Sequence, residues 1–552
     1  MAKPDRTDQG PGKSNKGGKP KDDVPDDGAV GGITYDASTS TYSVDTTVSA
    51  AELNSLIASA DDGSTILLSD GLHVFDQPIV IERENITLTG ESEQNTLIQF
   101  SFAADGEKAG ISVSGGEKTQ IGTSTSTITA GNTTLTMSDG HDIQAGDMLY
   151  LSQDNTEQYL IDNGWTNVSW EDAENRPFRE AIAEVVSVDG NTIALAQSIP
   201  YDMDANLTEV YSVDLLDGIS LSNFTVTFDE GPVNDYDFNN PLESYEGFAA
   251  ILIDGTHEAS LSQISVIDSP SHAFDIRTSL ELSADDLYID GAHNKGPGGN
   301  GYGIQLYETF SSTLTNLEIY DVRHSVLFSS WHAEANNTIE VTATNRDINF
   351  HGSPDSGNTV IVESAYMDYD PSQNSGPERG FWEIVGPGGS THAQIDPYAE
   401  NQVVFGAALG YDAGETIYGW DDGAYLNGAG GQDTLIGGAG DDILVGGDNK
   451  DVLTGNDGSD TFLFRLGDNY DTITDFDINA DQVVLSGNND VDSFDDLQIA
   501  QDGDNTTVRY GANSTLILEG VQADSLATEQ FSFDPDGTAT AGLYDGSDYF
   551  LF

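Results

Sequence analysis

Four aspartates, Asp433, Asp442, Asp451 and Asp460, fall nine residues apart in a glycine-rich run. Written in nines from Gly428, the chain reads GAGGQDTLI, GGAGDDILV, GGDNKDVLT and GNDGSDTFL. The sixth place is always Asp, and the eighth is Leu435, Leu444, Leu453 or Phe462. Gly428, Gly437, Gly446 and Gly455 open the copies, while Ala429, Asn449 and Asn456 stand where glycine is otherwise found. Glycine and asparagine reach positive φ at low steric cost, which tight turns demand. Such turns aim backbone carbonyls and a carboxylate at one point. Calcium takes roughly six to eight oxygens at ~2.3–2.6 Å, and this mixture supplies them. The expected ligand set is the four sixth-place aspartates, Asp441, Asp457 and the four opening glycines, holding several calcium ions. Two nonapeptides make one coil, so Asp433 should stack on Asp451 and Asp442 on Asp460, around an apolar core of eighth-place side chains. An earlier copy, GWDDGAYLN from Gly419, has Ala424 at the sixth place and reads as a degenerate cap.

A second chemistry lies upstream. Seven of the nine histidines (His257, His272, His293, His324, His332, His351 and His392) share one stretch with Arg277, Lys295, Arg323, Arg346 and Arg379. Concentrating scarce cationic and titratable groups in one place suggests a groove for an anionic ligand. Three turns read Asp268-Ser-Pro-Ser-His272, Asp290-Gly-Ala-His293 and Asp321-Val-Arg-His324. They predict a ladder of Asp and His on one face, extended by Arg346, Asp347, His351 and Asp355. An acidic sugar polymer needs such groups. Elimination or epimerisation at a uronic acid begins with loss of the C5 proton, once the neighbouring carboxylate is neutralised. A base takes that proton and an acid completes the step. Arg323 or Arg346 is the expected neutraliser, His324 the base, and Tyr302 or Tyr307 the acid, with Asp321 and His351 beside them. The same set also reads as a structural ladder, and Asp268, Asp290 or Asp321 as paired acids for hydrolysis. Trp331, Trp382 and Trp420 are candidates for stacking on sugar faces.

These residues must be carried by short strands. From Val48 to Ile57, Leu53, Leu56 and Ile57 predict a helix of about two turns. Then come β-branched runs, STILLSDGLHVF, IVIERENITLTG and NTLIQFSF, separated by turn residues. Asp189-Gly190-Asn191 between alternating runs predicts a hairpin inside an inserted β-domain. Beyond it, Gln263–Asp268, Asp286–Asp290 and Asn316–Asp321 superpose, each ending on an aspartate. The step from Asp290 to Asp321 is longer than that from Asp268 to Asp290, and the insertion NKGPGGNGY accounts for the excess. One short apolar strand per turn, at a solenoid-like period and without helical periodicity, predicts a parallel β-helix. The expected order is a leader (1–30), cap and first coils (31–118), inserted β-domain (119–215), β-helix with the groove (216–400), calcium roll (401–487) and a C-terminal β region with an export signal (488–552).

Composition sets the boundaries of function. Ninety-four Asp plus Glu stand against 19 Lys plus Arg, a formal charge of -75. That charge repels nucleic acid and anionic membranes, and opposes compaction unless cations offset it. With no cysteine, disulfides and thiolate metal sites are excluded. No run reaches the ~18 apolar residues of a membrane span, and no classical signal peptide is expected at the N-terminus.

The segment 415–465 resembles the RTX, or hemolysin-type, calcium-binding repeat family. GDNYDTITDFDINADQVVLSG looks like the region that follows such repeats, where Asp475, Asp477 and Asp481 would add ligands. The ending Asp548-Tyr-Phe-Leu-Phe552 resembles the uncleaved signal read by the type I secretion apparatus. The resemblance implies a secreted, extracellular and calcium-dependent protein, unfolded where calcium is low and folded where it is high. A β-helix followed by calcium nonapeptides resembles polysaccharide lyases and mannuronan C5-epimerases. The implied fold is all-β, a right-handed pectate-lyase-like β-helix followed by a β-roll. The implied partner is an anionic polysaccharide, with lyase chemistry placed ahead of epimerase and hydrolase. The epimerase run Tyr-Gly-Phe-Asp-Pro-His is not completed by Tyr302-Gly303-Ile304-Gln305 or by His272-Ala-Phe-Asp275. A non-catalytic glycan-binding matrix or cell-surface protein is the other class open to this sequence.

Overall fold

The computed structural model describes residues 31–104, 106–162, 177–235, 237–329, 332–351, 355–366, 382–386, 389–391, 401–410, 414–487 and 491–534. The leader, the final residues 535–552 with the proposed export signal, Trp331, Arg379 and His392 lie outside them, as does the side chain of Trp382. The chain is all-β, a right-handed parallel β-helix that runs into a parallel β-roll. One parallel sheet extends through the molecule, from Thr41–Val44 to Phe531–Asp534. A second forms the opposite flank and includes Ala249–His257, His272–Leu280, Tyr302–Phe310, His324–Phe328 and Ile348–Phe350.

Alternation explains the strands. In the first sheet Leu261, Ala284, Leu314, Ile339, Val360 and Val403 align coil upon coil, and all are buried. On the flank, Ile251, Phe274, Ile304, Val326 and Ile348 do the same. Phe328 and Phe350 stack with ring centroids 4.1 Å apart. Side chains between these inward rows project outward, since the side-chain period of a strand is two. The coil turns its corners at left-handed residues, and Gln263, Asp286 and Asn316 take φ of 53°, 57° and 53°. At another corner Asn337, Asn358 and Asn401 form a buried amide ladder, Asn358 Oδ1 accepting the Asn337 N–H and Asn401 Oδ1 the Asn358 N–H, both at 3.0 Å.

The helix Ala50–Ser59 caps the N-terminal end, held by the reciprocal Ser49–Glu52 capping box. Six described strands between 117 and 214 form an antiparallel sheet, with Pro177–Asp189 and Thr192–Leu195 joined by the tight turn at Gly190-Asn191. Its apolar side is shared with Leu280, Phe310, Ala333 and Ala335 of the β-helix, so the inserted domain stands beside the flank sheet.

The roll is not a separate globule. Tyr425–Asn427 pairs in parallel with Gln402–Leu409, the last β-helix strand of the first sheet. A single apolar core runs from Val44 to Phe531. Leu435 lies on Leu453 and Leu426 on Leu444, so each coil of the roll spans two nonapeptides.

The register corrects the expected Asp–His ladder. Ile267, not Asp268, pairs with Asp290, and Asp290 pairs with Tyr320, not Asp321. The first of these coils is therefore a residue longer than the spacing of its aspartates, and the second a residue shorter. A slip of one residue reverses the face of every side chain. Asp268 and Asp321 sit at left-handed corners with φ of 52° and 56°, level with Gly291 rather than Asp290. The glycine-rich insertion after His293 keeps that residue out of the ladder, and Tyr302 takes the place between His272 and His324.

Candidate functional site

The outward face of the flank sheet carries a cleft of about 270 Å³ lined by His272, Arg277, Tyr302, Gln305, Ser329 and His351. Gly247 and Gly299 close one side. Gly299 belongs to the glycine-rich insertion, which Arg323 pins by donating from Nη1 to Gly296 O at 3.0 Å.

His272, Tyr302 and His324 form a ring stack along that wall, with centroids 4.7 and 5.5 Å apart. The Tyr302 amide donates to His272 Nδ1 at 3.3 Å, and the same ring bonds the Gly299 backbone. Burial holds His272 neutral, with its pKa down at about 4. It is a clip for the wall.

His324, at the end of the stack, is buried, with Nδ1 donating to Asp347 Oδ1 and Oδ2 at 2.9 and 3.1 Å. The expected base is thus buried one coil from Tyr302 and does not line the cleft. Asp347 also accepts Asn349 Nδ2 at 3.2 Å, which turns Asn349 Oδ1 toward His351 Nδ1, again at 3.2 Å. An amide oxygen accepts only, so His351 Nδ1 carries the proton and Nε2 keeps a lone pair. Burial, followed by the nearby His324 and Arg323, lowers the His351 pKa to about 4. At neutral pH His351 is therefore a neutral imidazole on the cleft.

Arg277 supplies the cation. Its Nε lies 2.9 Å from both Asp275 oxygens and its Nη2 2.6 Å from Oδ2, leaving Nη1 outside that pair. Arg346, the other expected neutraliser, is placed elsewhere. It is fully buried, with Nε donating to Val322 O at 2.8 Å and Nη1 to Asn345 O at 2.7 Å. Its Nη2 lies 3.6 Å from Asp321 Oδ1. Arg346 and Asp321 fasten a coil corner and do not line the cleft.

Tyr307 follows Arg277 on the next coil, its ring 5.3 Å from the guanidinium and outside the cleft lining. Its ring lies 4.1 Å from His332. His332 Nδ1 sits 3.2 Å from both oxygens of Glu180, on the inserted domain, and 3.1 Å from Glu308 Oε1, on the flank. Lys118 Nζ reaches Glu308 Oε2 at 2.5 Å. Tyr150 donates to Glu180 and, at 3.0 Å, to Glu308. Burial works against a charged His332, but the hydrogen bonds and charges of Glu180 and Glu308 prevail and raise its pKa to about 9. Glu308 goes the other way: His332 and Lys118 overcome burial and bring it to about 2. The sequence carried no signal for this group, because Glu180 is remote from Glu308 along the chain and belongs to another domain.

In the roll, Asp433 N–H donates to Asp451 Oδ1 at 2.8 Å and Asp442 N–H to Asp460 Oδ1 at 2.9 Å. The rows continue past the nonapeptides to Asp471 and Asp481. Asp475 accepts the amides of Gly455 and Asn456, and Asp477 that of Asn479. Asp441 accepts the Ser459 amide at 2.7 Å, and Asp457 is exposed. A Cβ on Gly428, Gly437, Gly446 or Gly455 would lie 2.1–2.5 Å from the Oδ2 of the sixth-place aspartate, so glycine is required there. Ala429, Asn449 and Asn456 all take positive φ. Oδ2 of Asp433, Asp451, Asp460 and Asp471 is buried without a hydrogen-bond partner. Buried orphan carboxylates of this kind fit a hard cation. Trp420 belongs to this packing, its Nε1 donating to Gly423 O at 2.8 Å.

Residues 426–469 match the family of the RTX calcium-binding nonapeptide repeat, in four copies. The chain carries calcium-binding RTX repeats. No curated protein sequence matches it. Among solved structures it is similar to the Pseudomonas phage phi297 tailspike gp61, at 14% identity over 79% of this chain and 70% of that one, TM-score 0.44. It is also similar to the gp54 tailspike of Acinetobacter baumannii bacteriophage AP22, solved with a capsular saccharide, at 13% identity over 80% and 71%, TM-score 0.43. The catalytic domain of a GH87 α-1,3-glucanase shares 8% identity over 92% and 70%, TM-score 0.35. These are distant likenesses of architecture. Among the described residues no helix is long and apolar enough to cross a membrane.

Proposed function

We propose that the chain is a secreted, calcium-dependent enzyme that acts on an acidic polysaccharide by β-elimination, with its centre in the flank cleft. One observation carries this reading. His351, fixed as the Nδ1–H tautomer by Asn349 and Asp347, shares a cleft with the Arg277 guanidinium and the Tyr302 phenol. Arg277 neutralises the uronate carboxylate, which makes the C5 proton acidic enough to remove. His351 Nε2 takes that proton, the electron pair forms the C4–C5 double bond, and the C4–O bond breaks. Asp347 and Asn349 spread the charge that His351 acquires, and Tyr302 and Tyr307 are the phenols nearest the departing oxygen. A groove across successive coils suits a polymer lying along the helix axis.

The calcium roll suits export through the type I apparatus: scarce cytosolic calcium leaves its carboxylates repelling one another, and external calcium folds them. Elimination leaves a conjugated double bond, so ultraviolet absorbance on a panel of uronic-acid polymers, in calcium, tests the reading. Wild type should generate the signal, and His351→Ala should lower its rate by about 10²–10⁴-fold. Wild type inactive on every polymer, or His351→Ala with unchanged rate, refutes it.

A further inference from the structure

Next to the cleft, reached from Arg277 through the Tyr307 ring 5.3 Å away, stands a second titratable group. His332 stands between Glu180 of the inserted domain and Glu308 of the flank, all held within hydrogen-bond distance of its Nδ1. Two carboxylates on one ring nitrogen fix both the orientation and the proton of Nδ1. The His332 side chain is 18% exposed, and with Nδ1 committed to the carboxylates Nε2 is the nitrogen left for a ligand. The ring lies against Tyr307, which is level with Arg277 across the sheet. Tyr307 itself is a poor source of a proton, since burial, followed by the charges of Glu308 and Glu180, pushes its phenol well above the ordinary range.

The geometry points to His332 as the proton donor to the departing sugar oxygen, with Glu180 as the positioning residue that the inserted domain supplies. This rests on the elimination reading above. As the C4–O bond breaks, its electron pair goes to oxygen and the Nε2 proton moves to that oxygen. His332 is left neutral, with Nδ1–H still donating to the carboxylates, and regains a proton from water. Glu180, Tyr150 and Lys118 from the inserted domain and Glu308 and Tyr307 from the flank pack around it, with Glu334 beside Glu180 and Arg277 beside Tyr307. The inserted domain then completes the catalytic groove.

The test uses the full calcium-loaded chain, a uronate oligosaccharide, and an analogue whose C4 substituent is an aryl ether that departs without a proton. His332→Gln should lower kcat on the oligosaccharide by about 10²–10⁴-fold, leave KM nearly unchanged, and recover most of the loss on the aryl ether. Glu180→Gln removes one carboxylate and should move the alkaline limb of the kcat profile to lower pH. Equal losses on both substrates, or an unmoved alkaline limb in Glu180→Gln, overturn the assignment. Should His332→Gln fail to fold by circular dichroism, the Glu180→Gln profile decides. An inactive wild type overturns this assignment together with the elimination reading, whereas an active wild type with insensitive variants overturns this assignment alone.

Discussion

Without calcium, protons should take over part of its work in the roll. Burial pushes Asp433 and Asp460 up to about 7, and Asp442 and Asp451 to about 6, against an ordinary 3.8. Folding raises these values, so the metal-free roll is most stable below about pH 4 at these sites and loses that stability as pH climbs through 6 and 7. At ~1.4 kcal/mol per pH unit, each fully desolvated aspartate would cost about 3–4 kcal/mol above pH 7. Water reaching the loops cuts this to roughly 1 kcal/mol each. Four still remove about 4 kcal/mol, roughly a thousandfold in folded population and a large share of the ~5–15 kcal/mol that a domain holds. The assay is amide hydrogen exchange of residues 426–469 with chelator at pH 5.5 and 7.5, corrected for intrinsic rates, then with calcium restored. Protection should be lost at pH 7.5, partly regained at pH 5.5, and complete with calcium. Equal protection with and without calcium at pH 7.5, or metal-free protection that grows with pH, refutes the reasoning.

Asp451→Asn keeps the Oδ1 acceptor for the Asp433 amide but removes the charge. The roll should bind calcium at least about tenfold more weakly by calorimetry, yet resist chelation better at neutral pH. Arg346→Ala strips the donors from two carbonyls and leaves Asp321 at a buried corner. It should cost about 3–5 kcal/mol in denaturant titrations, with kcat of the folded fraction unchanged. Phe274→Ala opens a cavity between Ile251 and Ile304 and should cost about 3–5 kcal/mol. His351 must be neutral to act, so activity should persist at mildly acidic pH and fall as pH drops through about 4, read from the acid limb of kcat/KM.

What could be read without coordinates was local. Nine-residue spacing placed Asp433 over Asp451, and the non-glycine residues Ala429, Asn449 and Asn456 at turn positions do adopt the positive φ that spacing implied. Ser49 and Glu52 lie three residues apart and close a helix cap. Gly190-Asn191 makes its hairpin from its own preferences. Each depends on neighbours within about two coils, so composition and period suffice.

The groove depended on quantities that no local pattern contains. Coils counted from aspartate to aspartate describe the chain as well as coils offset by a single residue, yet only the latter keep Leu261, Ala284 and Leu314 in one buried row. The glycine-rich insertion after His293 then brings Tyr302, not His293, level with His324. Burial also separated Arg346, clamped on carbonyls, from Arg277, which reaches the cleft. Glu180 meets His332 from a distant part of the chain because two apolar faces, one on each domain, had to be covered together. The sequence alone determined that the chain coils, turns on glycine and collects calcium, because those are short-range consequences of φ and charge. Tertiary packing decided which titratable groups meet, because the face a side chain takes follows from burying every apolar row at once.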